Sequence, residues 1–311
     1  MGIAMASNLQ KYLHDQSLPP LRVWNRTSSK GDAVASLGGV QCDTIGTLVK
    51  DCDIIFISTS NDDALHSIVT EIMSAKNLTN KVFVDTTSVH PNTSKDVASK
   101  LAKENASLVS GPVFGSGPMA AERKILMVAA GAPSSIQRIS PYIKGVIARD
   151  MLEVAEHPQD ASLLKIIGNF LVGGLTEIVG EAHVFAEKSG LGCEIVEKLL
   201  EAQFGPLPTM ISKRLTQGVY MPPKEEQSIL TGTPPWSNLD LALKDASHAV
   251  DCAEAAGAKL PVGEVIKDHL QRAKIFSQEQ DRELDAAASY GIIRCDAGLE
   301  FGNDLIKKRD A

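Results

Sequence analysis

The sequence predicts an α/β fold in which a doubly wound parallel sheet is followed by an all-helical domain. Two observations carry this prediction. In the first half of the chain, strand-like apolar runs alternate with helical patterns, which is typical of βαβ units. An apolar helical pattern then runs from Ala161 to Lys188 without a proline, and only helical patterns follow it. We therefore predict an α/β domain over residues 1–158 and an all-α domain over residues 159–311.

The elements of the first domain follow one another in a regular order. After an opening helix that ends near Leu13, strands are predicted at Leu21–Asn25, Asp53–Thr59 and Lys81–Asp85. The second of these is a continuous apolar run, as in strands that are buried on both faces of a parallel sheet. Helices are predicted to end near Leu37, to cover about Asp62–Met73 and to begin at Pro91, whose fixed φ suits a first helical turn.

Beyond Ser107 the pattern is less regular. A glycine-rich segment at Val113–Pro118 precedes a strand that begins at Ile125, and a helix over Pro133–Lys144 and a short strand near Val146–Ile147 complete the first domain. In the second domain, a proline cluster between Gly205 and Trp236 predicts irregular loops, and a helix that starts at Asn238 is predicted to end near Gly257.

Composition excludes several classes of protein. At 311 residues, with 43% hydrophobic and 22% charged residues, the chain resembles a soluble globular protein, and its net charge of −7 argues against a nucleic-acid surface. No uninterrupted apolar run reaches the roughly 18 residues of a membrane span. Five scattered cysteines without a C-x-x-C pair indicate reduced thiols, not a disulfide framework or a zinc site. We expect a cytoplasmic protein with no metal, nucleic-acid or membrane partner.

The long helical pattern carries polar residues on one face. Lys165 and Asn169 are four residues apart, and Thr176 continues the line two turns later. Taken alone, this spacing favours a lysine that extends towards water and a tolerated amide. The alternative is a pair of functional groups directed at a ligand.

Several segments, in one order along almost the whole chain, match the motifs of a known family. They are MGIAMASNL from Met1, VDTTSVHP from Val84, GPVFGSGPMAA from Gly111, the K-x-x-x-N of the long helix and a K-D pair at Lys244. In these segments the chain resembles the β-hydroxyacid dehydrogenases, which include 3-hydroxyisobutyrate dehydrogenase, glyoxylate/succinic semialdehyde reductases and the NADP-binding domain of 6-phosphogluconate dehydrogenase. The resemblance implies a Rossmann-type domain, an all-helical domain and hydride transfer between NAD(P) and a short hydroxyacid or its aldehyde.

The resemblance also implies roles for individual residues. Lys165 would relay the proton to or from the substrate oxygen, provided that burial lowers its pKa towards working pH, and Asn169 would orient it or the substrate. The substrate carboxylate would be bound by the backbone amides of the glycine-rich segment. The expected substrate contacts are Phe114, Gly115, Ser116 and Asp245.

The cofactor is predicted to be NADP, with NAD less favoured. A carboxylate after the second strand of such a domain binds a free ribose 2′-hydroxyl, whereas an arginine accommodates a 2′-phosphate. This chain has Asn25, Arg26 and Thr27 there and no acidic residue before Asp32; the alternative is that Arg26 is a solvated turn residue. The other expected cofactor contacts are Gly2, Met5, Ser60, Asn61, Ser88 and Lys244.

Two departures from the family pattern affect these expectations. The chain begins at the methionine before the last glycine of G-x-G-x-x-G, so the first strand and two glycines lack counterparts, and we expect a truncated start. The alternative is a product that binds the nucleotide weakly. Glu156, Gln159 and Ala161 replace the family's glycines before the lysine, and Phe114 replaces a serine. These changes predict an altered pocket and a substrate other than hydroxyisobutyrate.

Three functions are compatible with the sequence. The favoured one is an NADP-dependent oxidoreductase that acts on a small β-hydroxyacid or its semialdehyde. An imine reductase on the same scaffold is less favoured, because those enzymes usually replace the lysine. A non-catalytic dimeric scaffold that has lost the cofactor is favoured only by the missing glycines. By analogy with the family, the long helix is expected to contribute to a homodimer or tetramer interface.

Overall fold

The computed structural model describes residues 1–75, 77–223, 235 and 237–311, and it divides into two compact units, Met1–Lys165 and Ile166–Ala311. The first unit is α/β, which confirms the predicted fold class. In chain order it contains α1 (Gly2–Asp15), β1 (Arg22–Val23), α2 (Asp32–Ala35), β2 (Val40–Gln41), α3 (Ile45–Asp51), β3 (Ile54–Ile57), α4 (Asp62–Ser74), β4 (Val82–Asp85), α5 (Pro91–Ala102), β5 (Ser107–Ser110), β6 (Val113–Phe114), α6 (Gly117–Ala121), β7 (Leu126–Ala130), α7 (Pro133–Ile139) and β8 (Asp150–Ala155).

The larger sheet has the order β3-β4-β5-β7-β6, with β8 paired to β7. Strands β3, β4 and β5 are parallel, as the alternation of strands and helices predicts, and Phe83 at their centre is opposite Ile55 and Leu108. The sheet as a whole is mixed, because β7 runs antiparallel to β5 and β6 and parallel to β8. The carboxyl ends of the parallel strands form the edge at which α/β sheets bind ligands.

Strands β1 and β2 form a separate two-stranded parallel sheet, joined at Arg22↔Val40 and Val23↔Gln41. The strand predicted at Leu21–Asn25 is thus confirmed in a shorter form, whereas its partner β2 was not predicted. The short helix predicted after it is a 3₁₀ turn at Ser28–Gly31 followed by the single turn of α2.

The end of the first unit differs most from the prediction. Val146 and Ile147 were expected to form a strand, which is wrong: they lie in a turn, with side chains buried in the core. The strand is instead β8, whose residues are mostly exposed and therefore lack the apolar run that marks a buried strand. Helix α7 is also shorter than predicted and ends in a 3₁₀ turn at Ser140–Tyr142.

Helix α4 illustrates how the helices of the first unit form and pack. The Asn61 side chain accepts a hydrogen bond of 2.9 Å from the Ala64 amide, which caps the helix amino terminus. Leu65, Val69 and Ile72, spaced three and four apart, are almost fully buried against the sheet. Burial of such side chains contributes about 1.5–3 kcal/mol each to the free energy of unfolding.

Helix α8 (Pro158–Ser189) begins in the first unit and continues into the second. Its 32 residues span about 48 Å at 1.5 Å per residue. Within the described residues it is the helix whose length and composition would allow it to cross a membrane, with a mean hydropathy of 1.5 over its most apolar window, 39% of which is buried. The core helix of a water-soluble protein has the same properties, so the expected lack of a membrane partner stays a prediction.

The second unit is built of helices around an aromatic core. In this core, Tyr220 donates a hydrogen bond of 3.0 Å to the Phe301 carbonyl and contacts Tyr290 edge to face. After α8 the helices are α9 (Cys193–Leu199), a π-helical turn (Leu200–Phe204), α10 (Pro206–Thr216), α11 (Leu239–Ala255), α12 (Pro261–Glu279), α13 (Ser289–Asp296) and α14 (Asp304–Asp310).

The proline cluster predicted irregular loops, and this is wrong for its first part. Pro206 occupies the first turn of α10, where the missing N–H has no helical partner in any case. Pro234 and Trp236, at the other end of the cluster, lie outside the described residues. The helix predicted from Asn238 is confirmed as α11, and the Asn238 side chain caps it.

Candidate active site

Lys165 is a buried lysine, with 8% of its surface exposed. Its Nζ atom lies 4.2 Å from the centre of the Phe114 ring, within the range of a cation–π interaction. The side chain therefore does not extend to solvent in the way that the helix spacing alone favours.

Phe114, which contacts Lys165, belongs to an apolar part of the first unit. Phe114 and Leu164 pack against a small buried cluster formed by Val128, Ala130 and Ala161. Because apolar surroundings lower the local dielectric, charge on this lysine interacts more strongly with its neighbours than it would in water.

Three buried serines hold the first turns of α8. The hydroxyl of Ser162 lies 2.6 Å from that of Ser94 on α5 and 3.0 Å from that of Ser110 at the end of β5. All three are at most 1% exposed. Ser162 precedes Lys165 by three residues, so this cluster fixes the helix face that carries the lysine.

Strand β6 and the residue after it bring the glycine-rich segment to this place. Phe114, in β6, pairs with Leu126 of β7. Gly115 then has a φ of +136°, and a Cβ on it would lie 2.7 Å from Cγ2 of Ile125. Both the backbone conformation and the space therefore require glycine. Ser116 follows, and its side chain makes no capping hydrogen bond to α6.

Asn8 is a residue that the sequence analysis did not select. It is 4% exposed, and its Nδ2 atom donates to the Ala120 carbonyl at 2.9 Å and to that of Ala121 at 3.3 Å. Helix α1 is thereby joined to α6, directly after the Gly115 segment. One feature of the sequence could have pointed to Asn8: it is a polar residue on the apolar face of a helix.

In the second unit, Asn169, Lys244 and Asp245 are brought together. Nδ2 of Asn169 donates to Oδ2 of Asp245 at 2.6 Å, and Nζ of Lys244 lies 2.8 Å from Oδ1 of the same carboxylate. Asp245 therefore contacts two other candidate residues, and its predicted contact with the substrate stays a prediction. Asn169 lies one helical turn beyond Lys165 on α8.

The carboxyl ends of β1 and β2 enclose a pocket of about 340 Å³. Asn25 and Arg26, both predicted to bind the cofactor, line it, and Asn25 accepts a hydrogen bond of 3.0 Å from the Thr27 amide. The residues that β2 contributes to the lining were not predicted, because a strand of two residues is too short to be recognised from the sequence. The complete lining is Val23, Trp24, Asn25, Arg26, Ser28, Gly31, Gln41, Cys42 and Asp43.

Threonines join the carboxyl ends of β3 and β4. The Thr59 amide donates to Oγ1 of Thr87 at 3.0 Å, and Oγ1 of Thr86 donates to the Ile57 carbonyl at 2.9 Å. Of the predicted contacts in these loops, Ser60 is exposed and Ser88 is partly exposed.

Three other predicted cofactor contacts have packing or capping roles. Asn61 caps α4, as described above, and Met5 has its side chain in the core, 7% exposed. Gly2 begins α1, and a Cβ on it would lie 3.1 Å from Oγ of Ser58 in the loop after β3. Its lack of a side chain allows close contact between the helix start and that loop.

The comparisons with known proteins agree with this architecture. Residues 1–154 match the family model for the NAD-binding domain of 6-phosphogluconate dehydrogenase. Residues 160–292 match that for the NAD-binding domain of NADP-dependent 3-hydroxyisobutyrate dehydrogenase.

One relative and two solved structures resemble almost the whole chain. The NADH-dependent oxidoreductase ucdB of Aspergillus ustus is 33% identical over 306 residues, 97% of this chain and 98% of that protein. The 3-hydroxyisobutyrate dehydrogenase of Mycobacterium tuberculosis with L-serine has a TM-score of 0.76 at 18% identity and covers 94% of this chain and 96% of that one. Psf3 in complex with NADP⁺ and 2-OPP has a TM-score of 0.76 at 19% identity, with the same coverage.

The two structures show the fold, and the relative and the family models show the family. The chain carries both matched segments in order, together with the lysine and asparagine of the K-x-x-x-N motif on one helix. This protein therefore belongs to the β-hydroxyacid dehydrogenase family and is an NAD(P)-dependent oxidoreductase of the 3-hydroxyacid dehydrogenase type.

Proposed function

We propose that this chain is an NADP-dependent oxidoreductase that interconverts a small β-hydroxyacid and its semialdehyde, with Lys165 as proton donor and acceptor. The observation that carries the proposal is the burial of Lys165 beside the Phe114 ring, on a helix that carries Asn169 one turn later. A buried, positioned amine is a group that can exchange a proton with a reacting oxygen.

The carboxyl ends of the strands in the first unit have features that fit a dinucleotide. A pocket of about 340 Å³ with an arginine in its lining suits the adenosine end, and Gly2 allows the start of α1 to approach Ser58 closely, since a Cβ there would lie 3.1 Å from Oγ of Ser58. In this proposal Asn25, Arg26 and Ser28 bind the ribose and its phosphate. When bound, the nicotinamide supplies or accepts the hydride.

The choice of NADP over NAD rests on Arg26. A guanidinium group binds a phosphate through two parallel N–H···O bonds, which a ribose hydroxyl cannot match. The NADP⁺ in the related Psf3 structure supports this choice, whereas the relative from A. ustus is NADH-dependent by its name.

In the direction of reduction, the Lys165 ammonium donates a proton to the carbonyl oxygen of the aldehyde. In the direction of oxidation, the neutral amine accepts the hydroxyl proton. Asp245 holds the amide of Asn169, so the amide has a fixed orientation when it meets substrate or lysine. The substrate carboxylate would be bound by the backbone amides of Gly115 and Ser116.

A homodimer or tetramer is proposed as the working form. Leu171, Ile178 and Phe185 recur every seven residues of α8 and are 58%, 62% and 75% exposed in the single chain. Seven residues are close to two helical turns, so these side chains share one stripe, and a second copy would remove the stripe from water. Light scattering should give a mass of two or four chains, and Phe185→Glu together with Ile178→Glu should give one.

The experiment that tests the function uses the full chain. NADPH is titrated while the fluorescence of Trp24, which lines the pocket, is followed, and NADPH-dependent reduction of semialdehydes, apolar aldehydes and cyclic imines is then measured. Lys165→Met should retain NADPH binding and lose about 10²–10⁴-fold in kcat, the contribution typical of a general acid.

Lys188→Met is the matched control, because Lys188 is an exposed lysine at the other end of the same helix. It should leave kcat unchanged. If the wild-type chain binds NADPH but reduces none of these carbonyl compounds, the oxidoreductase proposal fails for these substrates. If it binds no NADPH, the non-catalytic scaffold is favoured.

A further inference from the structure

The ring of Phe114 is the aromatic neighbour of the Lys165 ammonium, at 4.2 Å, in the segment where the resemblance to the family places a serine. We infer that Phe114 is a positioning residue that holds Lys165 as an ammonium ion, the form that donates a proton during carbonyl reduction. This inference rests on the proposed function for the direction of catalysis, although the contact itself can be tested without activity.

A ring face attracts an ammonium ion and does not attract a neutral amine in the same way, because the attraction is between a positive charge and the ring quadrupole. Burial acts in the opposite direction, since apolar surroundings disfavour the charged form. The ring therefore opposes the effect of burial. From the usual strength of cation–π contacts, the ring should raise the pH at which the Lys165 ammonium loses its proton by about half a unit or more.

The charged groups on the elements near this end of α8 in the first unit include Asp85, a fully buried carboxylate of β4 whose residue pairs with Ser110 of β5. Strands β5, β6 and β7, with the sequences SLVS, VF and LMVAA, carry no titratable side chain. Helix α5 brings Lys95 and Asp96 next to Ser94, and α8 itself brings Asp160. Within the second unit, Asp245 contacts both Asn169 of α8 and Lys244.

The consequence for the reaction is directional. In reduction, a bound nicotinamide would supply the hydride for the carbonyl carbon. Nζ of Lys165 gives its proton to the carbonyl oxygen, and the amine then takes a proton from solvent. Oxidation needs the neutral amine at the start. Because Phe114 favours the ammonium form, it should favour reduction at neutral pH and move oxidation to a more alkaline pH.

The kinetic test compares Phe114→Leu, Phe114→Tyr and the wild type. The pH dependence of kcat for aldehyde reduction by NADPH is measured for each. Phe114→Leu removes the quadrupole, so the alkaline fall in kcat should begin about half a pH unit lower, and Phe114→Tyr, which keeps an aromatic face, should follow the wild type. Tyr142→Leu is the control, because Tyr142 is an aromatic residue of the same unit that contacts Tyr12.

A second measurement does not depend on enzyme activity, and it leaves the shape of the side chain at position 114 nearly unchanged. Pentafluorophenylalanine is placed at position 114 of a chain labelled with ¹³C-lysine, and the Cε signal of Lys165, assigned by its loss in Lys165→Met, is titrated by NMR. The fluorinated ring keeps the size of phenylalanine but reverses the charge on its face. The midpoint of the titration should fall by half a pH unit or more.

Coincident midpoints for the fluorinated and native rings would overturn the inference, as would coincident kcat profiles for Phe114→Leu and the wild type. A lowered midpoint in a chain that reduces no carbonyl compound would support the contact and refute the proposed function, so the two failures are distinguishable.

Discussion

Nδ2 of Asn169 and Oδ2 of Asp245 are 2.6 Å apart, and this hydrogen bond joins α8 to α11 within the helical unit. The bond joins residues that are 76 positions apart in the sequence. It determines which way the Asn169 amide points, since the carboxylate can accept only from the amide nitrogen.

Asp245→Ala should therefore lower kcat by about tenfold. Loss of one hydrogen bond to a charged partner corresponds to roughly 1.5 kcal/mol or more, which is about a factor of ten in rate if the bond serves the transition state. Steady-state kinetics with a fixed aldehyde would measure this. Asp251→Ala, an exposed carboxylate on the same helix, should behave as the wild type; equal kcat values for both variants would contradict the prediction.

Gly115 and Gly117 form a matched pair for testing the glycine-rich segment. Gly115 has a φ of +136° and lies against Ile125, whereas a Cβ on Gly117 would meet no atom within 4 Å. Gly115→Ala should lower the free energy of unfolding by about 1–3 kcal/mol, the usual range for a strained backbone residue. Gly117→Ala should change it by less than about 1 kcal/mol.

Thermal or urea unfolding of the two variants would give these values, and activity would be measured in parallel. We expect Gly115→Ala to lose activity more than its stability loss explains, because it displaces Phe114. An active Gly115→Ala with wild-type stability would show that the segment tolerates a side chain.

Arg26 is expected to determine the preference between the two nicotinamide cofactors. Arg26→Ala should weaken NADPH binding by about 10–100-fold and change NADH binding little, because only NADPH presents the additional phosphate. Arg149→Ala, which removes another exposed arginine from the same unit, is the control. Stronger binding of NADH than of NADPH by the wild type would instead align this chain with its NADH-dependent relative.

His269 predicts a pH dependence of the stability of the helical unit. Its Nδ1 atom lies 2.7 Å from Oε2 of the buried Glu177, and this hydrogen bond is the main reason why the pKa of His269 is raised. Asp296, which is 3.7 Å from Nε2 and itself pairs with Arg272, acts in the same direction.

Because the pKa of His269 is higher in the folded state, its contribution is complete below the unfolded value of about 6.5 and is lost as the pH rises through the folded value. His269→Gln should therefore cost about 1–2 kcal/mol at pH 5.5 and less at pH 9. Chemical unfolding at both pH values would measure the difference. A cost for His269→Gln that is independent of pH would contradict the assignment.

The sequence predicted best those elements whose residues repeat a single pattern. Strand β3 is an uninterrupted apolar run, β4 is apolar up to Asp85, and α8 keeps its helical spacing throughout, so all three were recognised without tertiary information. Strand β8 was missed because it is an exposed strand that carries charged residues, and Val146 was misassigned because a buried turn contains the same apolar residues as a strand.

The candidate residues were selected through motifs, but their partners could not be. The contact between Phe114 and Lys165 depends on how β6 pairs with β7 and on how the serine cluster holds α8. No local pattern contains that information. The partners of Asn8 could not be predicted for the same reason, since its acceptors are carbonyl groups more than one hundred residues away.

The small sheet of β1 and β2 carries a consequence for how tightly the chain can retain a nucleotide. Only two residue pairs join these strands, yet they support the pocket that contains Arg26. Such a segment opens locally far more often than a central strand, and its amide protons should exchange with deuterium faster than those of β4. The nucleotide binds only while β1 and β2 are paired. The measured affinity therefore depends on how often these strands are paired, as well as on the contacts between the nucleotide and the pocket.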